Sequence, residues 1–173
     1  NKKIELPEFG RFDLAMSLEV AEHLEKKSAN HFVESLTNLS DTVMFGAAFS
    51  EQGGTNHINE QPHSYWAEMF TKRDYAPFDI FRQKFWGDKE IPFWYQQNTF
   101  LYVKAGSDVD KILRNAGHSP VKNLNFLNCI HPQLFLAHAQ RKNTTRKKLS
   151  AMRVIRKVIS KEKDAHEQTA KYK

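Results

Sequence analysis

Residues Phe12 to Leu24 read F-D-L-A-M-S-L-E-V-A-E-H-L. An apolar run ends near Ser17 and gives way to Glu19, Glu22 and His23. The pattern predicts a parallel strand over Phe12 to Ser17, buried on both faces. Its carboxyl end would deliver polar groups to a ligand crevice. The eleven residues ahead of Phe12 hold no glycine-rich phosphate or nucleotide loop.

Downstream, Phe32, Val33, Leu36 and Leu39 fall on one face at helical spacing. They predict a helix over Lys26 to Leu39 with Ser28 as its N-cap. Asp41 to Phe49 is a second strand, nearly continuous in apolar character. Strand, helix and strand in that order imply a crossover joining two parallel strands. Ser50 to Gln61 is a polar loop containing Gly53 and Gly54. Pro62 suits the start of a helix running to about Arg73, with Tyr65, Trp66, Met69 and Phe70 on one side. Pro77 to Phe81 reads as a strand and Arg82 to Gln97 as an aromatic-rich excursion. Thr99 to Val103 reads as a further strand, antiparallel to the one before it. Ser107 to Ala116 is a short helix, capped by Ser107 and ended by Gly117. Pro132 to Gln140 is another. In the tail, Leu149, Met152, Ile155 and Ile159 form one apolar stripe in a basic surround.

Composition bounds the function. At 173 residues the chain suits one domain with an appendage. No apolar run approaches the roughly 20 residues of a membrane-spanning helix. The N-terminal residues lack the apolar core of a signal peptide, and they start at Asn rather than Met. A lone cysteine, Cys129, excludes an internal disulfide and fits a reducing, cytoplasmic setting. Its apolar neighbours predict a buried, inert thiol. The net charge of +6 is uneven. Arg141 to Lys173 hold twelve Lys/Arg against three Asp/Glu, a balance of +9, and the other 140 residues carry a balance of −3. The body therefore lacks the basic face of a nucleic-acid binder.

Three segments together carry a resemblance: F-D-L-A-M-S-L-E-V-A-E-H-L, V-M-F-G-A-A-F-S, and the Q-G-G-T-N-H-I-N-E-Q-P-H-S-Y-W loop and helix. With N-T-F-L-Y-V, they resemble the C-terminal half of a class I S-adenosylmethionine-dependent methyltransferase. The likeness runs from Gly10 to Lys104, about 55% of the chain. It implies an α/β fold, a partial Rossmann-like sheet with strands equivalent to 4, 5, 6 and 7 and a helical C-terminal extension. The family's sheet order is 3-2-1-4-5-7-6. Its glycine-rich cofactor loop and ribose-binding acidic residue do not occur in this chain. The first strand is thus expected at a bare sheet edge, which is a pairing hazard. The expectation is a fragment, or a chain whose missing half comes from another polypeptide, and a homo-oligomer is a further possible partner. Alone, it should bind cofactor weakly or not at all.

The resemblance also implies site roles. Leu18, Glu19 and Val20 would flank the methionine side of S-adenosylmethionine. Glu22 and His23 would point into the crevice, with His23 as general base, since a neutral imidazole accepts a proton near pH 7. The bland alternative is that they brace the following turn. Gly53, Gly54, His57, Asn59 and Glu60 belong to a loop that either folds over the substrate or is an ordinary connection. His57 is a further catalytic candidate, and Trp66 is a substrate-contact candidate, although packing in the core is the readier explanation of that ring. No metal site is assigned. His57 and Glu60 stand three apart, a ligand spacing that needs a helix, and the glycines argue against one.

Two functions stay open. The first is the C-terminal portion of a methyltransferase, residues 1–104 forming the partial domain and 105–140 a helical extension. Its acceptor would be a small-molecule or glycan hydroxyl or amine. The second is a non-catalytic protein whose tail, residues 141–173, engages membrane headgroups, nucleic acid or acidic glycans.

Overall fold

Four strands form one open sheet in the order β1 (Ala15–Leu18), β2 (Thr42–Gly46), β4 (Phe100–Lys104), β3 (Tyr75–Phe78). β1 runs parallel to β2, and β4 runs antiparallel to both β2 and β3. The computed structural model describes residues 10–140, together with Thr144, Leu149, Met152, Arg153 and Arg156. The chain divides into one unit of residues 1–131 and a second of residues 132–173.

Between β1 and β2 the chain makes two short 3-10 turns, Ala21–His23 and Lys26–Ser28, then helix α1 (Ala29–Leu39). Helix α2 (His63–Thr71) leads into β3. Two short helices, α3 (Phe81–Phe85) and α4 (Phe93–Asn98), fill the aromatic-rich excursion before β4. Helix α5 (Asp108–Asn115) and a 3-10 turn at Leu124–Leu127 complete the first unit.

The strands alternate as a pleated sheet requires. Val43, Phe45, Phe100 and Tyr102 face a core shared with Val33 and Leu36 of α1 and Trp66 and Phe70 of α2. Their neighbours in sequence, Met44, Leu101 and Val103, face a smaller cluster with Phe78, Phe81, Val109 and Leu113. Aromatic packing dominates the larger core. The Phe70 and Tyr102 rings stack at 3.9 Å, and Phe45 meets both Trp66 and Phe70. Rings of this size each contribute roughly 1.5–3 kcal/mol on burial.

Several expectations are corrected. β1 is not buried on both faces: Ala15 and Ser17 are buried, while Met16 is 63% exposed. It is an edge strand covered on one side only, and Phe12 and Leu14 precede it as exposed residues. Ser28 occupies the N-cap position of α1 but makes no capping bond. The strand expected over Pro77 to Phe81 lies earlier, and Phe81 opens a helix instead. Cys129 is exposed, because only Leu127 of its apolar neighbourhood turns into the core. Trp66 is 1% exposed against Phe45, so its ring belongs to the core. Val109 and Leu113 of α5 pack on the sheet's smaller cluster and Leu127 in its larger core, all within the first unit, which runs to His131.

Ser107 does cap α5, accepting from the Asp110 amide, and Gly117 follows with a left-handed φ of 85°. In the second unit, residues 132–140 are helical as expected. Leu149 and Met152 are exposed. Ile155 and Ile159, the other two residues of the tail stripe, lie outside the described residues. No helix among the described residues is long and apolar enough to cross a membrane.

Candidate functional site

β1, β2 and β3 run in one direction, so their carboxyl ends share one rim of the sheet, where open α/β sheets place their ligands. β1 ends at Leu18, and Glu19 then adopts a left-handed φ of 52°. That conformation is unfavourable for a residue with a side chain by roughly 1–2 kcal/mol. It turns the chain sharply off the sheet. The Glu19 amide still donates to Gly46 O at 2.9 Å, and the side chain is held from both oxygens. Asn98 Nδ2 donates to one at 2.9 Å and Gln52 Nε2 to the other at 3.2 Å. Burial pushes the Glu19 carboxyl up to about 7, with the nearby Glu22 adding to the rise and the two amide donors opposing it.

Asn98 is the hub of a buried amide network. Its Nδ2 also reaches Gln52 Oε1, its Oδ1 accepts from Gln97, and His63 Nε2 lies 3.0 Å from that oxygen. His63 Nδ1 is 2.8 Å from Leu127 O. Burial lowers the His63 ring to about 4, against the opposing effect of these contacts. A neutral ring has one N–H to give, so it serves one of the two acceptors at a time. Gln97 also accepts from the His131 amide. None of Gln52, His63, Gln97 and Asn98 stood out in the sequence. The amide run Gln96-Gln97-Asn98 directly before a strand was the available signal.

Beyond Glu19 the chain makes the 3-10 turn Ala21–His23. Glu22 is fully buried, yet neither carboxylate oxygen accepts a hydrogen bond. Its backbone carbonyl accepts two, from Ile58 N at 3.0 Å and Asn59 N at 2.9 Å. Those bonds pin the glycine loop against the turn. They bring His57 alongside, with Nε2 3.9 Å from Glu22 Oε1 and the His23 and His57 rings edge to face at 4.8 Å.

The two imidazoles are anchored alike. His23 Nδ1 lies 3.2 Å from Asn56 O, and His57 Nδ1 lies 2.7 Å from Glu60 Oε1. Glu60 Oε1 also accepts from the Gly53 amide. The paired glycines divide their tasks. Gly53 takes a left-handed φ of 77°, while Gly54 makes room for the imidazole. A Cβ at Gly54 would sit 2.3 Å from His57 ring atoms. His57 and Glu60 therefore do meet, through a bond across a loop rather than along a helix.

No protein-family model, curated protein or solved structure matches this chain. The site must be read from its own chemistry.

Of the residues singled out in the sequence, Glu19, Glu22, His23, Gly53, Gly54, His57, Asn59 and Glu60 all come to this rim. Leu18 is half-buried against Gly46, and Val20 is 42% exposed. Trp66 does not join them. One candidate donor atom from each of Glu22, His23 and His57 lies within 4.8 Å of the other two. Two open grooves, of about 490 and 300 Å³, are lined by other residues. The first is bordered by Thr71, Tyr75 and Val121, the second by Arg82, Trp86 and Cys129.

Proposed function

We propose that this chain is the C-terminal portion of a class I S-adenosylmethionine-dependent methyltransferase acting on a small-molecule or glycan hydroxyl or amine. The observation that carries the reading is the strand order with its directions. With β1 to β4 taken as the family's strands 4 to 7, the order β1-β2-β4-β3 becomes 4-5-7-6. That is the second half of the expected 3-2-1-4-5-7-6, and the reversed strand falls in the seventh place. The polar tip of β1 and the glycine loop then meet on the rim where this architecture would hold its ligands.

S-adenosylmethionine supplies an electrophilic methyl group when bound. The fit to this chain is partial and falls on Leu18 and Val20 at the tip of β1. Glu19 fits less well than its position promised, because both its oxygens are committed to Asn98 and Gln52. Its part is to hold the strand tip in its turned conformation. Glu22, His23 and His57 form the polar group beside it, orienting an acceptor and drawing off its proton. Cofactor affinity needs the first three strands from elsewhere, since the cofactor loop belongs to them.

Calorimetric titration of S-adenosylhomocysteine tests the reading. The chain would be titrated alone and with a polypeptide supplying those strands. Little heat is expected alone and saturable binding in the complex. Absence of binding in both would remove the enzyme reading.

A further inference from the structure

We propose that Glu22, His23 and His57 bind one divalent first-row transition cation, of the kind represented by Zn²⁺, Co²⁺ and Mn²⁺. Four observations converge on this site. The first is the orphaned carboxylate. Glu22 is 0% exposed, and neither oxygen accepts a hydrogen bond from any described residue. Buried carboxylates are ordinarily hydrogen-bonded, ion-paired or metal-bound. The His57 Nε2 contact at 3.9 Å is too long to be a hydrogen bond.

The second is the way the imidazoles are held. Each presents Nδ1 to an oxygen, His23 to the Asn56 carbonyl and His57 to the Glu60 carboxylate. With those protons on Nδ1, each ring keeps its lone pair on Nε2. A metal-ligating histidine is oriented in the same way, its second nitrogen donating to a carbonyl or carboxylate.

The third is the preparation of the space behind His57. Gly54 cannot carry a Cβ without striking the ring, and the Gly53 amide fixes Glu60. The loop is shaped around one imidazole position. The fourth is spacing. The three donor atoms lie within 4.8 Å of one another. Metal–ligand bonds of roughly 2.0–2.2 Å put neighbouring donors about 3–3.5 Å apart. Closing the difference takes small adjustments of all three side chains, since Glu22 Oε1 and His57 Nε2 are themselves 3.9 Å apart.

The donor set selects the cation class. Two imidazoles and one carboxylate suit Zn²⁺, Co²⁺ or Mn²⁺, whereas Mg²⁺ and Ca²⁺ favour oxygen shells. Three protein donors, one of them on an exposed residue, leave positions for water or a substrate oxygen. The binding claim stands on the cluster itself. Under the proposed function those open positions would receive the acceptor hydroxyl, and the three side chains would promote loss of its proton through the cation they hold rather than by accepting it themselves.

The test uses the full chain stripped with chelator. It is titrated with Zn²⁺ and Mg²⁺ by calorimetry and with Co²⁺ by visible absorption. We expect one Zn²⁺ per chain with a Kd below about 100 µM, Mg²⁺ binding more weakly, and Co²⁺ bands typical of nitrogen and oxygen ligation. Glu22→Gln and His57→Ala should each weaken Zn²⁺ at least about 100-fold, and Glu60→Gln about 10-fold through loss of ring orientation. Glu22→Gln keeps the side chain's shape, so the metal-free variant should stay folded by circular dichroism. Absence of stoichiometric Zn²⁺ binding, tighter Mg²⁺ than Zn²⁺, or unchanged affinity in Glu22→Gln and His57→Ala would overturn the site. Zn²⁺ binding by the chain, with S-adenosylhomocysteine bound neither alone nor in the presence of the complementing polypeptide, would support the site and defeat the methyl-transfer reading. The reverse would defeat the site alone.

Discussion

The two rims of the sheet treat polar groups in opposite ways. At the amino ends of β1, β2 and β3, charges are paired near solvent. Arg11 bridges to Asp41, both sides about half exposed, and Lys104 approaches the same carboxylate at 3.8 Å. The Tyr75 hydroxyl lies 2.8 Å from Thr37 O and 2.7 Å from Ser40 O. At the carboxyl ends, polar side chains are buried in number, and some of their atoms have no partner. The Glu22 carboxylate is the extreme case, and Asn59 Nδ2 is a further buried atom without a partner. The first rim is arranged for stability. The second carries a desolvation cost that stability alone does not explain, which is how binding sites commonly differ from the scaffold around them.

The sharpest way to break the contrast is to remove the hub of the second rim. Asn98→Ala strips partners from Glu19, Gln52, Gln97 and His63 at once. It should cost about 3–4 kcal/mol in urea denaturation. A loss below 1 kcal/mol would show that the amides are not coupled.

The pH dependence of stability in chelator comes next. Glu19, raised from 4.5 to about 7, keeps its proton in the folded chain where the unfolded chain has lost it. Its contribution makes stability fall as pH rises from 4.5 to 7. His63, lowered from 6.5 to about 4, stays neutral where the unfolded chain is protonated. Its contribution makes stability fall as pH drops from 6.5 to 4. The two slopes oppose each other over most of that window. Glu19→Gln should therefore uncover a rise in stability between pH 4.5 and 6.5 of up to about 3 kcal/mol. His63→Gln should uncover the opposite slope. Identical profiles for wild type and both variants would contradict the assignment.

Smaller effects belong to the first rim. Tyr75→Phe should cost about 1–1.5 kcal/mol by denaturation, since its hydroxyl serves buried carbonyls. Arg11→Ala should cost less than about 1 kcal/mol and lose most of that effect in high salt, its ion pair being exposed. A larger loss at Arg11 than at Asn98 would reverse the comparison.

The same contrast marks what could be read in advance. The strand–helix–strand opening, the antiparallel return at Phe100 and the helix capped by Ser107 follow from local periodicity and capping chemistry. The exposed face of β1 did not, because an apolar run does not reveal whether a strand has a covering layer on both sides. Glu22, His23 and His57 were visible as chemistry-bearing residues, but their meeting was not. His57 was weighed against Glu60, three residues away, whereas Glu22 lies 35 residues upstream. The bonds that unite them run from the Ile58 and Asn59 amides to a backbone carbonyl, and side-chain patterns carry no trace of such bonds. The Asn98 network was harder still, since its longest link spans 79 residues to Glu19.

The two amides that grip the Glu22 carbonyl have a use of their own. Lifting the loop would break both bonds and swing His57 away in the same motion, so latch and imidazole travel together. The deuterium uptake of Ile58 and Asn59 is thus a built-in gauge. It registers each opening of the latch, whatever molecule eventually holds it shut.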